Sequence, residues 1–107
     1  MKKAAALHIR AVTEHKARIV QEILNDLPKW FGIPASIAAY AQEAEVLPMF
    51  ACSAPDGTTI GFLSLKPTSE FAVEIHLMGV KESWHRGIGR ALITAAKVHA
   101  ASQDARL

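Results

Sequence analysis

Val80-Lys81-Glu82-Ser83-Trp84-His85-Arg86-Gly87-Ile88-Gly89-Arg90-Ala91-Leu92 carries a strand-like run into a short basic turn containing two glycines, and the turn opens an alanine-rich helix. Backbone N–H groups at a helix start lack intrahelical partners, and the helix dipole adds positive charge there. That geometry suits a diphosphate. Gly87 and Gly89 let the backbone approach a bulky ligand and take conformations closed to other residues. Arg90, in the first turn, sets a cation against the dipole, a conflict that a nearby anion removes. The same residues also make an ordinary tight turn with solvated arginines, and a lone Gly-x-Gly leaves both readings open.

Two familiar phosphate loops fit poorly. A Walker loop needs Lys-Ser or Lys-Thr after its last glycine, where Arg90-Ala91 stands here. A dinucleotide fingerprint needs three glycines in a βαβ unit and an acidic residue about 20 positions on. Only two glycines stand in this loop, and the sequence ends before that position.

Outward from the loop, hydrophobic periodicity orders the chain as β-α-α-β-β-β-α. Leu7, Ile9 and Ala11 alternate with His8 and Arg10 as a first strand with one buried face. Thr13 stands as N-cap and Glu14 in the first turn of a helix carrying Ala17, Ile19, Val20, Ile23, Leu24 and Leu27 up to Pro28. Pro34 starts a second helix with Ile37, Ala38, Tyr40, Ala41 and Ala44. Met49–Ser53 and Thr59–Leu65 form a hairpin around Ala54-Pro55-Asp56-Gly57-Thr58. Lys66-Pro67-Thr68-Ser69 reads as the next connection, Phe71–Val80 as a strand, and Ile88 to Ser102 as a helix burying Ile88, Leu92, Ala95, Val98 and His99. The fold class is α/β (α+β): one domain over residues 1–107, with a mostly antiparallel sheet and flanking helices.

Composition excludes several classes. Half of the 107 residues are hydrophobic and 21% are charged, as in an ordinary folded domain. A net charge of +2 with scattered basic residues argues against a nucleic-acid partner. No stretch is apolar enough to span a bilayer, and His8 and Arg10 interrupt a leader-like start, so no membrane partner and a cytoplasmic location are expected. Cys52, the one cysteine, sits in an apolar run and reads as a buried, inert thiol. The five histidines lack helical metal-ligand spacing and have no cysteine partner, so no metal site is expected.

The ordered set of elements resembles the GNAT superfamily of N-acetyltransferases, whose acetyl-CoA loop follows the fourth strand and opens the next helix. Met78-Gly79-Val80, His85-Arg86 and Gly87-Ile88-Gly89-Arg90-Ala91-Leu92 are similar to that family's central motif. Leu7–Thr13 resembles its first strand, and Phe62–Leu65 with Glu74–Val80 its third and fourth. The loop departs from the family's Arg-x-Gly-x-Gly pattern, since Arg86 stands directly before Gly87. The chain also ends at Leu107, where family members continue into a fifth strand, a helix and further strands that often supply a tyrosine acid. The only tyrosine here is Tyr40, far upstream.

The resemblance implies an acetyl-CoA-dependent transfer to the primary amine of a small-molecule or peptide acceptor. It implies main-chain donors from Leu77, Met78 and Val80 along the pantetheine, and His85, Arg86, Gly87, Ile88, Gly89, Arg90 and Ala91 around the diphosphate. Glu74 resembles the strand-four glutamate that takes the amine proton, or it is a half-exposed strand residue with a cross-strand partner. His76, two residues on and on the same face, shares that role or is simply packed. Trp30 and Phe31 either line the acceptor site, which that region shapes in relatives, or plug the core. A chain ending at Leu107 leaves the Phe71–Val80 strand as an open edge, so a homodimer through that edge is expected. The alternative reading is a truncated, catalytically impaired relative that binds CoA or oligomerises.

Overall fold

The run Ile60-Gly61-Phe62-Leu63-Ser64-Leu65 offers almost no polar face to water, which suits a strand covered on both sides. The computed structural model describes residues 8–26, 34–81 and 87–107 and places this run inside a sheet. β1 (His8–Val12), β2 (Met49–Ser53), β3 (Thr59–Ser69) and β4 (Ala72–Val80) form a four-stranded antiparallel sheet in that order. α1 (Lys16–Asn25) and α2 (Pro34–Ala44) cover one face, and α3 (Ile88–Ser102) covers the other. The expected fold class and element order stand. Ile19, Val20, Ile23 and Leu24 of α1 pack with Ile37 and Ala41 of α2 onto Met49, Ala51 and Phe62. Leu63 and Leu65 meet Ile88, Leu92 and Ala96 on the opposite face, where Cys52 is also fully buried. Burial pushes the Cys52 thiol pKa up, as an inert thiol requires.

Several boundaries differ from the sequence reading. Thr13 does not cap α1. The helix starts at Lys16 behind His15, which holds a left-handed conformation with φ 62° and makes no side-chain cap bond. A partner from across the fold replaces the cap: the Ala17 N–H donates to Glu45 Oε2 at 2.8 Å, and Lys16 Nζ donates to the Leu47 carbonyl at 2.7 Å. In β1 the buried side chain is Val12, which turns toward the α1–α2 cluster. Ala11 remains exposed, because an open cavity lined by Ile9, Phe50, Ala95 and Val98 separates it from α3.

Lys66-Pro67-Thr68-Ser69 is strand rather than connection. The β2 ladder reaches only to Ser64, followed by one bond from Leu65 N to the Pro48 carbonyl, so by Pro67 β3 needs hydrogen bonds on one side only. A proline that lacks an N–H is tolerated there, and Pro67 pairs with Val73. The buried face of α3 follows Ile88, Leu92, Ala96 and Ala100; Ala95 and His99 are half-buried, and Val98 is exposed. The chain does not stop in α3 either. It turns at Asp104 (φ 58°) and returns along β4, where Arg106 N donates to the Phe71 carbonyl and Val73 N donates to the Arg106 carbonyl, both at 2.8 Å. The start of the β4 edge is therefore covered.

Gly79 sets how closely α1 approaches β4. A Cβ there would lie 3.1 Å from Phe62 Cε1, 3.2 Å from Ile23 Cγ2 and 3.4 Å from Leu24 Cδ2. Gly79→Ala is expected to cost about 1–3 kcal/mol through overpacking, measured by urea unfolding.

Candidate functional site

Two pieces of backbone make up the candidate site. The first is the outer edge of β4. Lys81 N donates to the Ile60 carbonyl at 2.8 Å, and Val80 stands opposite Gly61. Antiparallel alternation then turns the Gly79 amide toward β3 and the Met78 and Val80 amides away from it. The Leu77 position pairs with Ser64 inside the sheet. Beyond the Ala72–Arg106 bridge, no strand among the described residues pairs with this outer side. Met78 and Val80 direct their side chains to the α3 cluster, so the edge is fixed from the α3 side.

The second piece is the start of α3. Gly87 occupies the N-cap with φ 76° and ψ −10°, a left-handed conformation that a glycine adopts freely. Among the described residues no side chain caps the helix, and its first turn holds no acidic residue. Ile88 is anchored in the core, so only its main chain is open to a ligand. A Cβ on Gly89 would meet only Met78 Cε at 3.9 Å, so the helix start opens directly above β4. Arg90 is exposed and Ala91 half-buried. His85 and Arg86, expected at the diphosphate, and Trp30 and Phe31 lie outside the described residues.

On the α2 side of β4 the sheet carries a polar chain that sequence reasoning missed. The pairing of β4 with β3 shifts register between Ser64 and Leu65: Leu77 faces Ser64 and Ile75 faces Leu65, leaving His76 as the extra residue of a bulge. The His76 side chain is 7% exposed. Its Nδ1 lies 2.8 Å from Ser64 Oγ and its Nε2 lies 3.1 Å from Glu43 Oε1, while Lys66 Nζ donates to Glu43 Oε2 at 3.2 Å. The Tyr40 ring meets His76 edge-on, with centroids 6.3 Å apart. Lys66, and secondly His76, hold the Glu43 carboxyl below the usual glutamate range. A carboxylate only accepts, so Nε2 carries a hydrogen toward Glu43; with that tautomer Nδ1 is left to accept from the Ser64 hydroxyl.

Glu74 is exposed and stands opposite Lys66 in the register. Among the described residues its carboxylate makes no hydrogen bond or ion pair, its cross-strand lysine being engaged with Glu43. The one hint of the network in the sequence was Ser64, the lone hydroxyl within the apolar run of β3. Among the described residues no group of His, Cys, Asp and Glu could hold a metal ion, and no helix is long and apolar enough to cross a membrane. A cavity of ≈ 480 Å³ between α1 and the β2–β3 hairpin is lined by Arg10, Arg18 and Lys81 with Glu14 and Glu22, charges of both signs that select no ligand.

The sequence profile of the acetyltransferase (GNAT) family matches residues 17–107. Among solved structures, the chain is similar to the aminoglycoside N-acetyltransferase AAC(6')-Iy in complex with CoA, at TM-score 0.72 and 22% identity, over 99% of this chain and 76% of the other. A GNAT-family protein from Desulfovibrio desulfuricans aligns at TM-score 0.76 and 17% identity, over 94% and 70%. The PaiA N-acetyltransferase of Thermoplasma acidophilum in complex with coenzyme A aligns at 0.70 and 18%, over 92% and 74%. At these identities the likeness speaks for the fold. No curated protein matches the sequence.

The Glu43 shift gives the molecule an acid limb. Because its pKa is lowered on folding from the ordinary 4.5, its contribution is complete above that value and is lost as pH falls through the lowered one. The thermal midpoint is expected to fall less steeply in Glu43→Gln than in the wild type between about pH 6 and about pH 3.

Proposed function

The chain belongs to the GNAT acetyltransferase family, and on that premise we propose that it binds acetyl-CoA along the open edge of β4 and the start of α3, and transfers the acetyl group to a primary amine. The observation that carries this reading is the continuity of donors: the outward amides of Met78 and Val80 run toward the uncapped first turn of α3. The residues fit the ligand. Amides along an open edge suit the peptide-like pantetheine, and a glycine N-cap with free first-turn N–H groups suits a diphosphate. Arg86 and Arg90 add charge-assisted bonds to phosphate oxygens. Bound acetyl-CoA supplies a thioester whose acetyl carbon the amine attacks, with CoA leaving as the thiol.

The chain's own task is then to place the acceptor and remove its proton. A protonated amine has no lone pair to attack with. Glu74, exposed on the α2 side of β4 and free of other partners among the described residues, is the base in this reading, directly or through a water. Glu43 is poorly suited, since a carboxyl held below its ordinary range gives up its proton too readily. An aminoglycoside is the acceptor that one neighbour's name records; the chemistry carried over is only that of an amine acceptor. We place the enzyme in the cytoplasm.

A second reading rests on the same edge. The outward amides of β4 suit a strand from another copy, and Phe71, 68% exposed at its beginning, adds apolar area. Homodimer formation through β4 and acetyl-CoA binding would use the same Met78 and Val80 amides, so they compete. Two measurements follow. Calorimetry is expected to show micromolar acetyl-CoA binding, weakened about ten-fold in Arg86→Ala by loss of a charge-assisted bond; equal affinity would remove the diphosphate role. Saturating acetyl-CoA is expected to shift a dimer toward monomer in sedimentation, and a ligand-bound dimer would separate the two functions.

A further inference from the structure

We propose that His76 is a positioning residue: through Ser64 and Glu43 it clamps the β4 bulge to α2 and so fixes the direction of the Met78 and Val80 amides for the acyl donor. The part concerning the donor rests on the reading above; the clamp itself does not. A bulge inserts a residue that the ladder does not need, and backbone pairing alone leaves its direction weakly determined. Here the inserted residue is the one whose ring is tied at both nitrogens.

The ties reach different elements. Ser64 lies on β3, 0% exposed, and Glu43 lies on α2, half-buried. Lys66, also on β3, closes the chain by donating to the second Glu43 oxygen. Tyr40, one turn before Glu43 on α2, covers the ring from the side. With both nitrogens occupied and 7% of the side chain exposed, His76 has no ring atom free to take a proton from an acceptor. Its effect must pass through the backbone it holds. Met78 is two residues further along the strand, so rotation of the bulge would redirect its amide first.

The arrangement also explains a buried hydroxyl in an otherwise apolar strand. Ser64 without an acceptor would leave a fully buried polar atom unpaired, and His76 Nδ1 satisfies it. Because one His76 substitution breaks bonds on both sides, its effect is distinguished by what a partial mimic restores. Glutamine keeps one donor and one acceptor near the ring nitrogens; leucine keeps neither.

The test compares the wild type, His76→Gln and His76→Leu by amide hydrogen exchange at Leu77 and Gly79 and by acetyl-CoA titration. In His76→Leu, exchange at these two amides is expected to accelerate at least about ten-fold relative to Leu63 in the core, with acetyl-CoA affinity reduced by a similar factor. In His76→Gln both are expected to return to within about three-fold of the wild type. Unchanged exchange at Leu77 and Gly79 in His76→Leu overturns the clamp. A clamp confirmed by exchange, with wild type that takes up no acetyl-CoA, overturns the donor reading and leaves the clamp standing. Should His76→Leu fail to fold, Ser64→Ala removes one tie alone, and wild-type exchange at Leu77 in that variant overturns the clamp equally.

Discussion

β3 holds β4 through an antiparallel ladder on its inner side, and this one-sided pairing is the constraint on which the site depends. Paired on both sides, β4 would have no amides to offer; unpaired, it would have no fixed direction. The ladder is anchored from above and below, by Phe62 and Gly79 under α1 and by Met78 and Val80 under α3. Core residues therefore fix the direction of the outward amides. α3 depends on the same anchoring, since Ile88 and Leu92 both lie against Gly61, opposite the last residue of β4.

The register shift at His76 breaks the alternation of the strand between its covered start and its open far end. On the near side, β4 faces Arg106 and the end of the chain; on the far side, its outward amides lead to the glycine turn. The polar chain through Ser64, His76, Glu43 and Lys66 sits at that change. Its inner half, Ser64 and His76, is buried and would be costly if unsatisfied, and among the described residues no buried side-chain nitrogen or oxygen lacks a partner.

Most of the fold was legible because periodicity reports burial. The face of α1, the β2–β3 hairpin and the glycine-led helix start all follow from local patterns, whereas on α3 only Ile88 and Leu92 of the expected face are fully buried. The misses share one cause, which is that a partner distant in sequence decided the outcome. Thr13 is an excellent N-cap by type, yet Glu45 from beyond α2 caps the helix in its place. Pro67 looks like a strand terminator, but only until β2 is known to have ended. His76 looked like a candidate base because period-two reasoning places it beside Glu74; the contacts of both its nitrogens come from residues 12 and 33 positions away. The backbone geometry at Gly87 and along β4 was readable from the motif alone, since glycine positions and strand register carry it.

The account's central claim is that the donor lies along β4 and the start of α3. Amide chemical shifts recorded during titration with acetyl-CoA test it most directly. The account predicts that perturbations concentrate at Met78, Val80 and Gly87 through Ala91 while Ile19 and Val20 stay unmoved. Perturbations gathered instead around Arg10, Arg18 and Lys81, in the cavity beside α1, would contradict it.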